Sequence, residues 1–178
     1  MPKSELRTTL RSPVTSSTLT GLENTIHERG EYNARPSVLE DIGAIAASMR
    51  PADKREVRLL SGQGPLDALT QSFVHSSVTR TLSYKDQPLI MYGTAEFQPG
   101  VGIVWGLGSE ALDDHIVGFL RMSRPEVEVL QGSYSTIFNY VHANNELHLK
   151  WVKFVGFTLF DPMTHESGET VIPIQRSV

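Results

Sequence analysis

The sequence predicts a mixed α/β domain, a mainly antiparallel sheet with helices on both faces, preceded by an extended N-terminal arm. Three stretches predict it. "GVGIVWGLGS", residues 100–109, is apolar at nearly every position, as a central strand buried on both faces must be. "RTLSYKDQPLIMYGTAEF", residues 80–97, holds two β runs around Lys85-Asp86-Gln87-Pro88, a hairpin by its turn chemistry. "TIFNYVHANNELHLKWVKFVGFTLF", residues 136–160, reads as strand, polar break, amphipathic helix, Gly-Phe stop and strand again.

Residues 1–33 form the arm. "TTLRSPVTSSTLTGLENT" is rich in Ser and Thr and shows no sustained period of 2 or 3.6. Such a segment cannot bury enough apolar surface alone to offset the entropy of ordering it. Leu6, Leu10, Val14, Leu19, Leu22 and Ile26 are the side chains with which it would order against a partner.

The domain, residues 34–178, opens on a short strand at Tyr32 to Arg35 that overlaps this boundary. Ser37 and Glu40 have the S-x-x-E spacing of a capping box, and Ile42, Ile45, Ala46 and Met49 follow on one helical face. Pro51 stops that helix. "PADKREVRLLSG" is a short charged helix ending at Gly62, and Pro65 starts a third, with Leu66, Leu69, Phe73 and Val74 on one side. After the hairpin and the central strand, Ala111 to Met122 reads as a helix. A second helix is expected from Ser123 to about Gln131, where Gly132 ends it. Asn145 precedes the helix of the 136–160 segment, which should bury Leu147, Trp151, Phe154 and Val155 and turn His148 outward. Gly156 supplies its left-handed stop. "ETVIPIQ" closes the sheet.

Composition excludes several chemistries. The 178 residues contain no Cys, which removes disulfides, thiolate nucleophiles and Cys-based zinc sites. A net charge of −4 gives no bulk reason to expect duplex DNA or an anionic membrane, and no apolar run approaches the ~18 residues of a membrane span. Scattered Arg7, Arg11, Arg29 and Arg35 make a weak case for nucleic acid. The N-terminus has no apolar stretch of the secretory kind. His142 and His148 lack any metal-ligand spacing and read as structural.

The element order resembles the GNAT superfamily of N-acetyltransferases. With Gly156-Phe157 set on that family's N-x-x-A-x-x-L-Y-x-x-x-G-F pattern, Asn145 takes the Asn position and Trp151 the Leu. His148 then stands where the family has Ala, and Val152 where many members carry the Tyr that protonates the leaving thiolate. The family holds the pyrophosphate of coenzyme A on free amides after a [QR]-x-x-G-x-[GA] loop at a helix start. Gly106 and Gly108 fit the glycines of that loop, whereas Ile103 stands at the Gln/Arg position.

Three blocks are similar to a phage and prophage family that includes internal virion protein A of short-tailed phages: "RPSVLEDIGAIAASMRPADKREV", "WGLGSEALDDHIVGFLRMSRPEVE" and "NYVHANNELHLKWVKFVGF". That resemblance implies a virion assembly protein, made in the host cytoplasm, that needs no cofactor. It would bind portal, core or head–tail proteins in several copies, through its surface and the arm. The expected loss of acyl-CoA chemistry rests on the helix starts. Glu110, Asp113 and Asp114 crowd the first, while Ser123, Glu126 and Pro125 cap or remove the amides of the second. The alternative is an acetyl-CoA-dependent N-acetyltransferase. Its expected residues are Glu96 and Tyr140 for catalysis, with Gly106, Gly108, Ser109, Arg121, Ser123, Arg124 and Asn145 around the cofactor.

Overall fold

The computed structural model describes residues 21–178. The arm positions Leu6, Leu10, Val14 and Leu19 therefore lie outside the described residues, while Leu22 and Ile26 are exposed. Among the described residues no helix is long and apolar enough to cross a membrane.

One nine-stranded sheet organises the described residues. Its strands are β1 (His27–Arg29), β2 (Tyr32–Pro36), β3 (Val78–Tyr84), β4 (Gln87–Gln98), β5 (Val101–Gly108), β6 (Thr136–His142), β7 (Thr158–Leu159), β8 (Met163–Thr164) and β9 (Thr170–Ser177). The order across the sheet is β1-β2-β3-β4-β5-β6-β9-β7, with β8 also on β9. Every pairing is antiparallel except β5 with β6. The hairpin expected at Lys85–Asp86 is present. Both residues have positive φ, as a tight two-residue β turn requires.

Helices α1 (Leu39–Ala47), α2 (Pro51–Ser61) and α3 (Pro65–His75) connect β2 to β3, and α4 (Ile116–Gln131) connects β5 to β6. Helix α5 (Glu146–Phe154) follows β6. One core lies where Ile42 and Ile45 of α1, Met49 just past its end, Val57 of α2 and Leu69 of α3 meet Met91, Trp105 and Leu107 of the sheet. The opposite core holds Phe119, Met122 and Leu130 of α4, Val152 of α5 and Leu82, Ile90, Tyr92, Val104 and Ile137 of the sheet.

Four local expectations change. The cap of α1 shifts by one residue: Asp41, not Glu40, accepts the Val38 N–H at 2.9 Å, while Ser37 turns to Thr81. Asp41 wins because Arg35 and Thr81 also hold its carboxylate, so it is buried and anchored.

The two helices expected from Ala111 to Gln131 are a short 3-10 turn (Glu110–His115) and one continuous helix. Pro125 lies inside α4, and Ser123 donates back to the Phe119 carbonyl, so no second helix start exists there. Glu126 caps nothing. It turns inward to Arg80, which is wholly buried.

The face of α5 is also rotated: Val152 is buried where Phe154 was expected, and His148 points inward. The sheet, finally, begins before residue 34. β1 pairs β2, and the Glu23 carbonyl accepts from Arg80.

Gly118 has a visible task in α4. A Cβ there would lie 2.0 Å from the Tyr32 ring, so only glycine lets β2 approach the helix.

Candidate functional site

The parallel pair β5–β6 stays together for three residues, Val101–Ile103 against Thr136–Phe138, and then the strands part. Such a fork has a physical consequence. Past it, backbone groups on the facing edges lose their ladder partners and must be satisfied otherwise. Asn139 crosses part of the opening by donating its side-chain N–H to the Val104 carbonyl.

A narrow cleft opens over the fork between α4 and α5. Its walls are apolar (Ile90, Leu112, Ile116, Phe119, Leu147 and Trp151), Gly106 lies on its β5 side, and Arg50, Asp53 and His148 supply its polar groups.

Those polar groups belong to a buried network reaching from α2 to α5. Glu56 accepts from Asn145 Nδ2 at 2.8 Å, and its other oxygen lies 3.5 Å from His148 Nδ1. Asn145 caps α5, its side-chain oxygen taking the His148 N–H. Asp53 Oδ2 accepts the Gly108 N–H at 2.9 Å, and Oδ1 lies 3.5 Å from Arg50. Arg50 Nε is 3.0 Å from Asp113 Oδ1 but off the line of its N–H, so this is a charge contact rather than a hydrogen bond.

The titrations of these groups diverge. Burial pushes the Asp53 carboxyl above its usual range, against Arg50 and the Gly108 amide. Burial would raise Glu56 too, but the neighbouring His148 charge and hydrogen bond outweigh it and hold Glu56 low. For His148, burial opposes the charge, and Glu56 more than offsets that, raising the imidazole. Adjacent groups pushed in opposite directions are a usual mark of proton-handling sites.

An acyl-CoA can be tested against these residues in two parts. Alternation along β5 puts the N–H and C=O of Val104, Gly106 and Gly108 on the edge facing the fork. Asn139 takes the Val104 carbonyl, and Asp53 and the Arg50 N–H take both groups of Gly108. Gly106, between them, faces the cleft. One peptide group between apolar walls fits a pantetheine arm.

The turn that follows does not fit a diphosphate. Besides Gly108, the amides of Ser109, Glu110 and Leu112 donate to Leu89, Ser48 and Ser109 carbonyls. Asp53 and Asp113 stand beside them. The groups that occupy these amides are Asp53 and the Leu89, Ser48 and Ser109 carbonyls; Ser123, Glu126 and Pro125, expected to cap or remove amides, lie inside α4 and take no part.

The other expected site residues scatter. Ser109 is buried and donates its hydroxyl to the Leu89 carbonyl. Ser123 accepts the Trp151 indole N–H. Arg121 is exposed on α4, and Arg124 stacks on the Phe154 ring. Glu96 is exposed opposite Gly102, on the closed side of the fork. Tyr140 stands on the α2 side of β6 near Phe138, away from the cleft.

Sequence reasoning singled out neither Asp53 nor Glu56 and gave His148 a structural role. A signal was there: along α2, Asp53, Glu56 and Val57 share one helical face, opposite Lys54, Arg55 and Arg58. Acids beside an apolar residue on one face point inward.

Solved structures share this architecture. Ard1 from Thermoplasma volcanium matches with a TM-score of 0.64 at 10% identity, over 84% of this chain and 99% of its own. AAC(6')-Ib in complex with paromomycin and acetyl-CoA gives 0.60 at 14% identity, over 83% and 94%. An acetyltransferase of the GNAT family from Streptococcus pneumoniae gives 0.57 at 12% identity, over 83% and 100%. No protein-family model and no curated protein matches the sequence.

The fold is therefore that of the GNAT acetyltransferases. The expectation of a phage virion protein is overturned: the matching structures are acetyltransferases, one holding acetyl-CoA, and the phage resemblance finds no support among them.

Proposed function

We propose that this chain is an N-acyltransferase that takes its acyl group from a thioester, with acetyl-CoA as the donor. The observation that carries the reading is the fork between β5 and β6, with its apolar cleft and two titratable side chains, Asp53 and His148, among the lining residues. Gly106 and the apolar walls would hold the acyl end of the donor, whereas the occupied turn would not hold its diphosphate.

Transfer to an amine requires that the amine lose a proton and the thiolate gain one. His148 is the group suited to this. Its Nδ1 faces Glu56, which fixes the ring and leaves Nε2 to exchange the proton. Asp53, raised by burial, is a second proton carrier on the cleft wall. The apolar side chains of α4 and α5 exclude water that would hydrolyse the ester.

Titration calorimetry with acetyl-CoA, followed by thiol release on adding a primary amine, tests the reading. Sub-millimolar binding and amine-dependent release are expected. A chain that binds no acetyl-CoA overturns it.

A further inference from the structure

The sheet face opposite the cleft is open along β6. Phe138, Tyr140 and His142 alternate onto that face, since Ile137 and Val141 are buried in the other core. At one end, Phe138, Tyr140 and Phe160 border an open groove, and Phe97 meets Phe138 edge to face. Phe97 and Phe160 are 60% and 47% exposed, too much for residues whose only task is core packing. At the other end an open groove lies between Arg55, Arg58 and Leu59 of α2 and His142, Asn144 and Glu169.

Charge distinguishes the second groove. Helix α2 turns both its acids inward, to the fork, and leaves Lys54, Arg55 and Arg58 outside. None of the three has an ion-pair partner among the described residues. Among the described residues Glu169 is the one acid lining this groove, and it contacts His142 at 3.3 Å. Asn144, on the groove's other wall, directly precedes Asn145, the donor to Glu56. A carboxylate held at Arg55 and Arg58 therefore places an amine of the same molecule near the Glu56–His148 end of the fork.

We infer that this trough binds the acyl acceptor and that the acceptor is an anionic amine bearing an aromatic or apolar group, such as an acidic peptide N-terminus. Two guanidiniums suit a carboxylate in number and geometry. The aromatic end supplies stacking surface without charge. A polycation such as paromomycin, which AAC(6')-Ib holds in its complex, meets repulsion here. The acceptor role rests on the acyl-transfer reading, whereas the anion site is testable without it.

Calorimetric titration of the full chain with the dipeptide Phe-Asp, against Phe-Lys and paromomycin, tests the inference. Phe-Asp should bind at least roughly tenfold tighter than either, as charge-assisted hydrogen bonds imply. The double variant Arg55→Glu/Arg58→Glu, both exposed positions, should abolish the preference while leaving thermal unfolding and acetyl-CoA binding unchanged. Glu169→Gln should tighten Phe-Asp.

Equal binding of Phe-Lys, a preference that survives in the double variant, or no binding of Phe-Asp overturns it. Acetyl-CoA titrated into the same protein separates the two readings. If only Phe-Asp binds, the transferase reading falls and the anion site stands. If only acetyl-CoA binds, the acceptor inference falls alone.

Discussion

Two buried ion pairs sit on the α4–α5 side of the sheet and at the fork, and they do different work. Arg80 and Glu126 are joined by two hydrogen bonds of 2.9 Å each, and Tyr92, His27, Ala34 and Glu23 complete both partners. Glu56 and His148 are joined by one 3.5 Å contact, only Asn145 adds a side-chain hydrogen bond to Glu56, and His148 lines the cleft. A charge with all its hydrogen bonds made is fixed in one protonation state, and its removal is felt as instability. A charge with few partners beside an open space is free to exchange its proton. Satisfaction, more than burial, separates structural charges from chemical ones.

The sharpest way to break this contrast is to remove one partner from each pair. Arg80→Met leaves Glu126 a buried carboxylate without its guanidinium, with only Tyr92 and His27 beside it, and should cost about 3–5 kcal/mol in denaturant unfolding. Glu126 has a lowered folded pKa, the net of burial raising it and Arg80 lowering it further. Its contribution is therefore present above the ordinary value of 4.5 and lost as pH falls through the folded value. Glu126→Gln should flatten that acid-side slope. A milder loss than about 1 kcal/mol for Arg80→Met would show that the network is dispensable.

His148→Gln should lower amine-dependent thiol release about 100-fold while leaving the chain folded. The stability signature has the opposite sign. A raised folded pKa means that the His148 contribution is present below the ordinary value of 6.5 and lost as pH rises through the folded value. The stability gap between wild type and His148→Gln should thus close on the alkaline side. A pH-independent gap would make His148 a packing residue, and the two ion pairs would no longer differ in kind.

Trp151 links the two regions. Its ring stacks on Phe119 at 5.3 Å between centroids and donates to Ser123, while its edge lines the cleft. Because it is half-buried, Trp151→Ala should cost about 2–3 kcal/mol, below the range for a fully buried Trp. Acetyl-CoA affinity should fall with it.

Much of the frame was legible. The hairpin at Lys85–Asp86, the strand 101–108, the Pro starts at 51 and 65 and the Gly156 stop depend on local chemistry that sequence carries directly. The misreadings share one cause. Ser123-x-x-Glu126 has the local form of a cap, but Arg80, distant in sequence, claims Glu126 and makes the segment the middle of a helix. His148 reads as exposed on its own helix, and only the fork brings Glu56 to it across 92 positions. Tertiary partners of charged residues leave no periodic trace, so the site was the least readable part. The segregation of acids and bases along α2 was the exception, and it points at both faces of the fork.

The smallest effect is the control for all the others. Glu146 and Lys150 form an i,i+4 pair at 3.3 Å on the outer face of α5, both side chains more than three-quarters exposed. Their helix also carries His148, so any change in helix position would reach the cleft. Exposed pairs of this spacing contribute only ~0.3–0.5 kcal/mol, because water screens the charges and ordering two long side chains costs entropy. Lys150→Ala should therefore shift unfolding by no more than that, and less at high salt, with thiol release unchanged. A large loss of activity without a loss of stability would mean that Lys150 touches the acyl donor. The cleft's mouth would then extend onto the outer face of α5, and a solvated ion pair would become part of the site.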